Sequence, residues 1–146
     1  MGEVVERITL VNTREAGNAA GGFIKEEDVR KAKLRALVDT GATNIVINER
    51  TRRKLGLAIT EVGEVSLGNG KRESCSYTEW VTVRWKDRQA VCEAVVLPHA
   101  KETLLGVIPL EQMDLSVNLR ERKLEGAHGD EWVRYVRNTR RRNRGF

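Results

Sequence analysis

Ala36-Leu37-Val38-Asp39-Thr40-Gly41-Ala42 is the stretch whose reading decides the fold. An apolar strand that ends in Asp-Thr-Gly delivers a carboxylate to the rim of a buried sheet. The glycine that follows lets a second backbone or a substrate come close. Thr40 adds a hydroxyl that can bond across an interface while its methyl packs. A strand-end carboxylate in such surroundings needs a partner or takes up a proton. Taken alone, the tripeptide also suits an Asx turn in which Asp39 bonds only its own backbone.

Upstream, Ala32, Leu34, Ala36 and Val38 alternate with Lys31, Lys33, Arg35 and Leu37. The alternation predicts a strand from about 30 to 38, after a turn or short helix near 25–29, although the composition of 25–37 also suits a helix. Residues 3–11 alternate in the same way (Val4, Glu6, Ile8, Leu10 against Val5, Arg7, Thr9, Val11) and read as a strand. Residues 12–22 have no periodicity and read as a loop. Downstream, Ile45-Val46-Ile47 is a short buried strand. Asn48 then caps a brief helix that Gly56 ends. Gly68-Asn69-Gly70 joins 62–67 to 71–80 as a hairpin, and Lys86-Asp87-Arg88 turns a second hairpin from 80–85 into 90–97. Leu104 to Ile108 is a short apolar strand, and Pro109 opens a helix to about Met113. Segments 115–119 and 123–124 suggest a last hairpin. The sum is an all-β domain with two short helices over residues 1–125, followed by a basic tail, 126–146.

Of the 146 residues, 40% are hydrophobic, enough for a small core, which argues against global disorder. The apolar runs fall far short of the ~20 residues of a membrane span. Met1 to Glu6 carries acid where a secretion signal needs base, so a cytoplasmic location is expected. Cys75 and Cys92 cannot form a disulfide framework, and with His99 and His128 they lack metal-site spacing. No metal or cofactor is expected. Lys and Arg number 26 against 21 acids, but six arginines fall in 132–146, so residues 1–131 sum to 20 − 21 = −1. A nucleic-acid or anionic-surface contact would therefore rest on that tail.

Three landmarks stand in order: Ala36–Ala42 followed by Ile45-Val46-Ile47, the glycine-bearing hairpin at 65–75, and Leu104-Leu105-Gly106 about 65 residues after Asp39. Together they resemble the retropepsins, the single-lobed aspartic proteases of retroviral type. The run Leu104 to Glu111 is more similar to cellular and bacterial retropepsin-like proteins than to viral ones. The resemblance covers roughly residues 1–125. It implies a single-lobed acid-protease barrel that is half of an active homodimer, an endopeptidase acting on peptides or proteins with no cofactor. By the same resemblance, Asp39, Thr40 and Gly41 are the catalytic loop, and Ala42 contacts substrate. Gly68, Asn69 and Gly70 are the tip of a flap that closes over the substrate. Leu104, Leu105 and Gly106 pack beneath the catalytic loop. The chain holds no second Asp-Thr-Gly or Asp-Ser-Gly, so a mechanism with two carboxylates needs two chains.

The chain departs from the retroviral pattern at two positions. Retroviral enzymes carry Asp where this chain has Thr43 and Arg where it has Val107, a pair near their dimer interface. Both are absent together here, which leaves no charge buried alone. Two other functional readings stand beside the enzyme. One is a peptide-binding or dimerisation module of the same fold without catalysis. The other is a nucleic-acid binder acting through the arginine-rich tail.

Overall fold

The alternating segments on either side of residues 12–22 form an antiparallel pair. In the computed structural model, which describes residues 2–134, β1 (Val5–Asn12) and β2 (Lys31–Val38) run in register from Val5 opposite Leu37 to Val11 opposite Lys31. Ile8, Leu10, Ala32 and Ala36 face the core, while Arg7, Lys31, Lys33 and Arg35 stay in solvent. The sheet continues from β2 to β7 (Thr103–Leu105), then to β3 (Ile45–Ile47), β6 (Arg88–Val96) and β5 (Arg72–Trp85). The β2–β7 and β3–β6 pairs are parallel; β7–β3 and β6–β5 are antiparallel. β5 then pairs with β1 over Thr9–Asn12 and closes a barrel of six strands. β4 (Ile59–Ser66) hangs outside this ring, bonded only to the first half of β5. A separate small hairpin, β8 (Leu115–Asn118) with β9 (Lys123–Gly126), completes the strands.

The fold is all-β, as the alternation predicts, but it carries three short α-helices rather than two. α2 (Glu49–Leu55) follows its signals: the Asn48 side chain accepts from the Thr51 amide at 2.9 Å, and Gly56 ends the helix at φ 65°. α3 (Val107–Gln112) begins two residues before Pro109, with Gly106 at its N-cap. α1 (Thr13–Ala20) replaces the loop expected at 12–22. Its cap is Asn12, fully buried, whose Oδ1 accepts from the Glu15 amide at 3.0 Å while its Nδ2 donates to Leu55 O at 2.9 Å. Glu15 is buried against Arg30, and Thr13 shares a hydroxyl bond with Thr82 at 2.8 Å. Partners 15 to 69 residues away thus hold an eight-residue helix that is too short to be stable alone.

Residues 126–134 are bound to the barrel. Arg88, expected in the turn, opens β6 and is buried. Its guanidinium donates to the carbonyls of Met113, Asp114, Gly129 and Glu131. Asp114 accepts from the Val133 amide at 3.2 Å, and Trp132 Nε1 donates to Gln112 O at 3.1 Å. The rest of the arginine-rich tail, 135–146, lies outside the described residues. Among the described residues no helix is long and apolar enough to cross a membrane.

Asn12→Ala removes a helix cap and leaves Leu55 O without its donor, so a loss of about 2–3 kcal/mol in urea unfolding is expected. Substituting the exposed Asn69 by Ala is expected to change stability by less than ~0.5 kcal/mol.

Candidate active site

The loop between β2 and β3 is held on every side by backbone. The Asp39 amide donates to Leu105 O at 3.0 Å, and the Ala42 amide returns to Asp39 O at 3.1 Å. The Gly41 amide donates to Asp39 Oδ1 at 2.8 Å, so the Asx turn that the tripeptide permits does form. It engages one carboxylate oxygen. Oδ2 has no hydrogen-bond partner among the described residues, and Asp39 is partly exposed. Thr40 is exposed, and its hydroxyl is likewise unbonded among the described residues.

The far side of the loop is fastened to the β7–α3 junction. Val107 N donates to Ala42 O at 2.9 Å and Ile108 N to Thr43 O at 2.8 Å. Gly106 makes this possible: a Cβ there would run into the carbonyls of Asn44 and Ala42. Asn44 Nδ2 donates to Glu93 O at 3.2 Å and ties the loop to β6. Where retroviral enzymes carry an Asp–Arg pair, Thr43 and Val107 contribute main-chain bonds to the same junction.

Asp39 opens onto a cleft of ≈ 400 Å³. Gly41, Ala42 and Leu104 line it from the loop side, and Val65 to Gly68 at the end of β4 line it from the hairpin side. Its floor is a small apolar cluster apart from the main core, with Val46, Val95, Tyr77 and Leu97. Asp39 is the only carboxylate on the cleft wall among the described residues. The Tyr77 phenol is pushed above its ordinary range, first by the neighbouring Cys75 and then by burial, so it stays a neutral hydroxyl. Both cysteines are buried and free, and burial pushes Cys92 up to about 11, which keeps it a thiol. No cluster of metal-ligating side chains occurs among the described residues.

The structure therefore gathers Asp39, Gly41, Ala42, Gly68 and Leu104 around one cleft. Leu105 and Gly106 lie buried behind it. Thr40, Asn69 and Gly70 do not line it and are exposed. The hairpin tip is a tight turn in which Gly70 has φ 81° and Asn69 Oδ1 accepts from the Lys71 amide at 2.9 Å. Tyr77, Val95 and Leu97 went unread as site residues. Alternation places them on one face of a strand but does not say that the ring closes them onto Asp39.

A six-stranded barrel with one Asp-Thr-Gly loop under a projecting hairpin defines a single-lobed protein of the acid-protease type. Residues 27–112, more than half of the chain, match the family described as "gag-polyprotein putative aspartyl protease", and the chain belongs to that retropepsin-like family. Among curated proteins none matches the chain.

Gly106→Ala is expected to destabilise the protein by about 3 kcal/mol, because backbone must move to admit the methyl. Thermal melting checks this, and Gly68→Ala, where a Cβ meets open space, is the control expected to melt with the parent.

Proposed function

We propose that this chain is an aspartic endopeptidase that works as a symmetric dimer, with Asp39 of each subunit supplying one carboxylate. The observation that carries this reading is that, among the described residues, Asp39 Oδ2 is free at a cleft roofed by the β4–β5 hairpin and no second acid stands on the wall. A two-fold axis at the loop supplies the missing acid from a second copy.

The chemistry then follows that of aspartic proteases in general. Two carboxylates sharing a site cannot both ionise cheaply, so the pair holds one proton. The ionised member takes a proton from water, which attacks the scissile carbonyl carbon. The protonated member donates to the carbonyl oxygen, and a proton then passes to the leaving amine as the C–N bond breaks. The apparent pKa values belong to the pair. The Asx bond from Gly41 orients each carboxylate and leaves its other oxygen for water and partner. Thr40, exposed and unbonded within the subunit, is the hydroxyl proposed to bond across the axis. The segment Val65–Gly70 is proposed to fold over the peptide and exclude water. The apolar floor suits substrates with apolar side chains beside the scissile bond.

The Glu49 ion pair persists through the mildly acidic range. Side-chain hydrogen bonds, first from Arg52 and then from Arg53, hold Glu49 at about 2 against an ordinary 4.5. The folded value is the lower one, so the pair's stabilisation is complete above 4.5 and is lost only as pH falls toward 2.

Asp39→Asn tests the reading. Cleavage of a broad peptide library between about pH 4 and 7 is expected to fall roughly thousandfold or more, with the melting temperature within a few degrees of the parent. Undiminished cleavage by the variant would contradict the assignment. No cleavage by the parent, with peptides still bound, would instead favour a binding module.

A further inference from the structure

The barrel wall formed by β2, β1 and β5 carries a concave basic face. Its groove, ≈ 530 Å³, is lined by Arg7, Lys31, Lys33, Arg35, Arg84 and Lys86 and, among the described residues, by no acid. The register explains the density. Arg7 stands directly opposite Arg35, and Lys33, Thr9 and Arg84 form one row across three strands. Lys31 alone is ion-paired, with Glu26. Among the described residues Arg7, Lys33, Arg35 and Arg84 have no carboxylate partner, and the Lys86 ammonium sits over the Trp85 ring at 4.6 Å. Like charges facing each other across strands oppose folding. The fold nevertheless keeps them together, unneutralised, on a concave surface.

We propose that this face binds the phosphate backbone of a nucleic acid. A polyphosphate delivers one full charge per nucleotide whatever its sequence, and arginine forks grip phosphate oxygens in pairs. An acidic peptide fits less well. β1 pairs with β5 over Thr9–Asn12 and β2 with β7 over Ala36–Val38, which leaves only the short edges Val5–Ile8 and Lys31–Arg35 for a peptide to extend. The only apolar lining residues, Ile8 and Leu34, are buried or half-buried between the cations and offer no deep anchor pocket. No aromatic ring stands free on the face for base stacking, Trp85 being buried. Recognition is therefore of backbone charge, without sequence preference. The cations lie on the outward positions of β2, which carries Asp39 just past its end, so bound nucleic acid runs along the outer wall of the barrel.

Fluorescence anisotropy with a labelled single-stranded oligo-dT of about 20 nucleotides, the full chain and graded salt tests the proposal. The parent is expected to bind with affinity that falls steeply with salt. The full-length variant R7Q/K33Q/R35Q/R84Q is expected to bind at least tenfold more weakly, with a log–log salt slope shallower by about 3. Thr9→Glu, which sets a carboxylate between Lys33 and Arg84, is expected to weaken binding while raising the melting temperature, and it serves if the quadruple variant fails to fold. Replacing the five arginines at 137, 140, 141, 142 and 144 by Gln in the full chain separates the tail's share; the face's own salt dependence is expected to remain. Parent-like binding by both face variants would overturn the proposal. So would equal displacement by polyglutamate at matched charge, or binding to phosphatidylserine vesicles without binding to the oligonucleotide.

Discussion

The structure depends on one close approach. At Gly106 the chain leaving β7 passes against the carbonyls of Ala42 and Asn44 with no room for a side chain. Through that contact, Val107 and Ile108 bond the far side of the Asp39 loop while Leu105 bonds its near side. The loop is thus held by main-chain bonds from both ends of the β7–α3 junction, and these bonds do not titrate. A carboxylate on such a mount keeps its position while its own proton comes and goes, as general acid–base chemistry requires.

Around the mount the barrel distributes three tasks. β2 brings the acid to the rim, the apolar patch of Val46, Val95 and Leu97 floors the cleft, and the β4–β5 hairpin overhangs it. β4 has a neighbouring strand on one side only, whereas each barrel strand has one on either side. Fewer constraints there suit the roof proposed to close over a peptide.

Local signals made most of the fold legible in the sequence. Asn48 and Gly56 mark both ends of α2, and the Gly68–Gly70 turn marks the β4–β5 hairpin because each needs a particular backbone geometry at a particular residue. α1 was hidden because its support is tertiary: an Asn12 buried against Leu55 and a Glu15 matched to Arg30 look like loop residues until the barrel brings their partners. The same holds for Arg88, which reads as a turn residue and proves to be a buried clamp on residues 129–131. Asp39 could be picked out from its motif, but the cleft floor could not, since Val46, Tyr77 and Val95 sit on three strands whose meeting is decided by ring closure. Net charge conceals placement for a related reason: residues 1–131 sum to −1, yet strand alternation sorts several of their cations onto one wall.

The central claim is that one acid per subunit becomes chemically competent only beside its twin. Mixing parent with Asp39→Asn subunits, allowing exchange, and following peptide cleavage at constant total protein tests it most directly. If both acids are needed, cleavage falls as the square of the parent fraction, to about a quarter in an equal mixture. A linear fall, to about half, would mean that each subunit cleaves alone and would contradict the account.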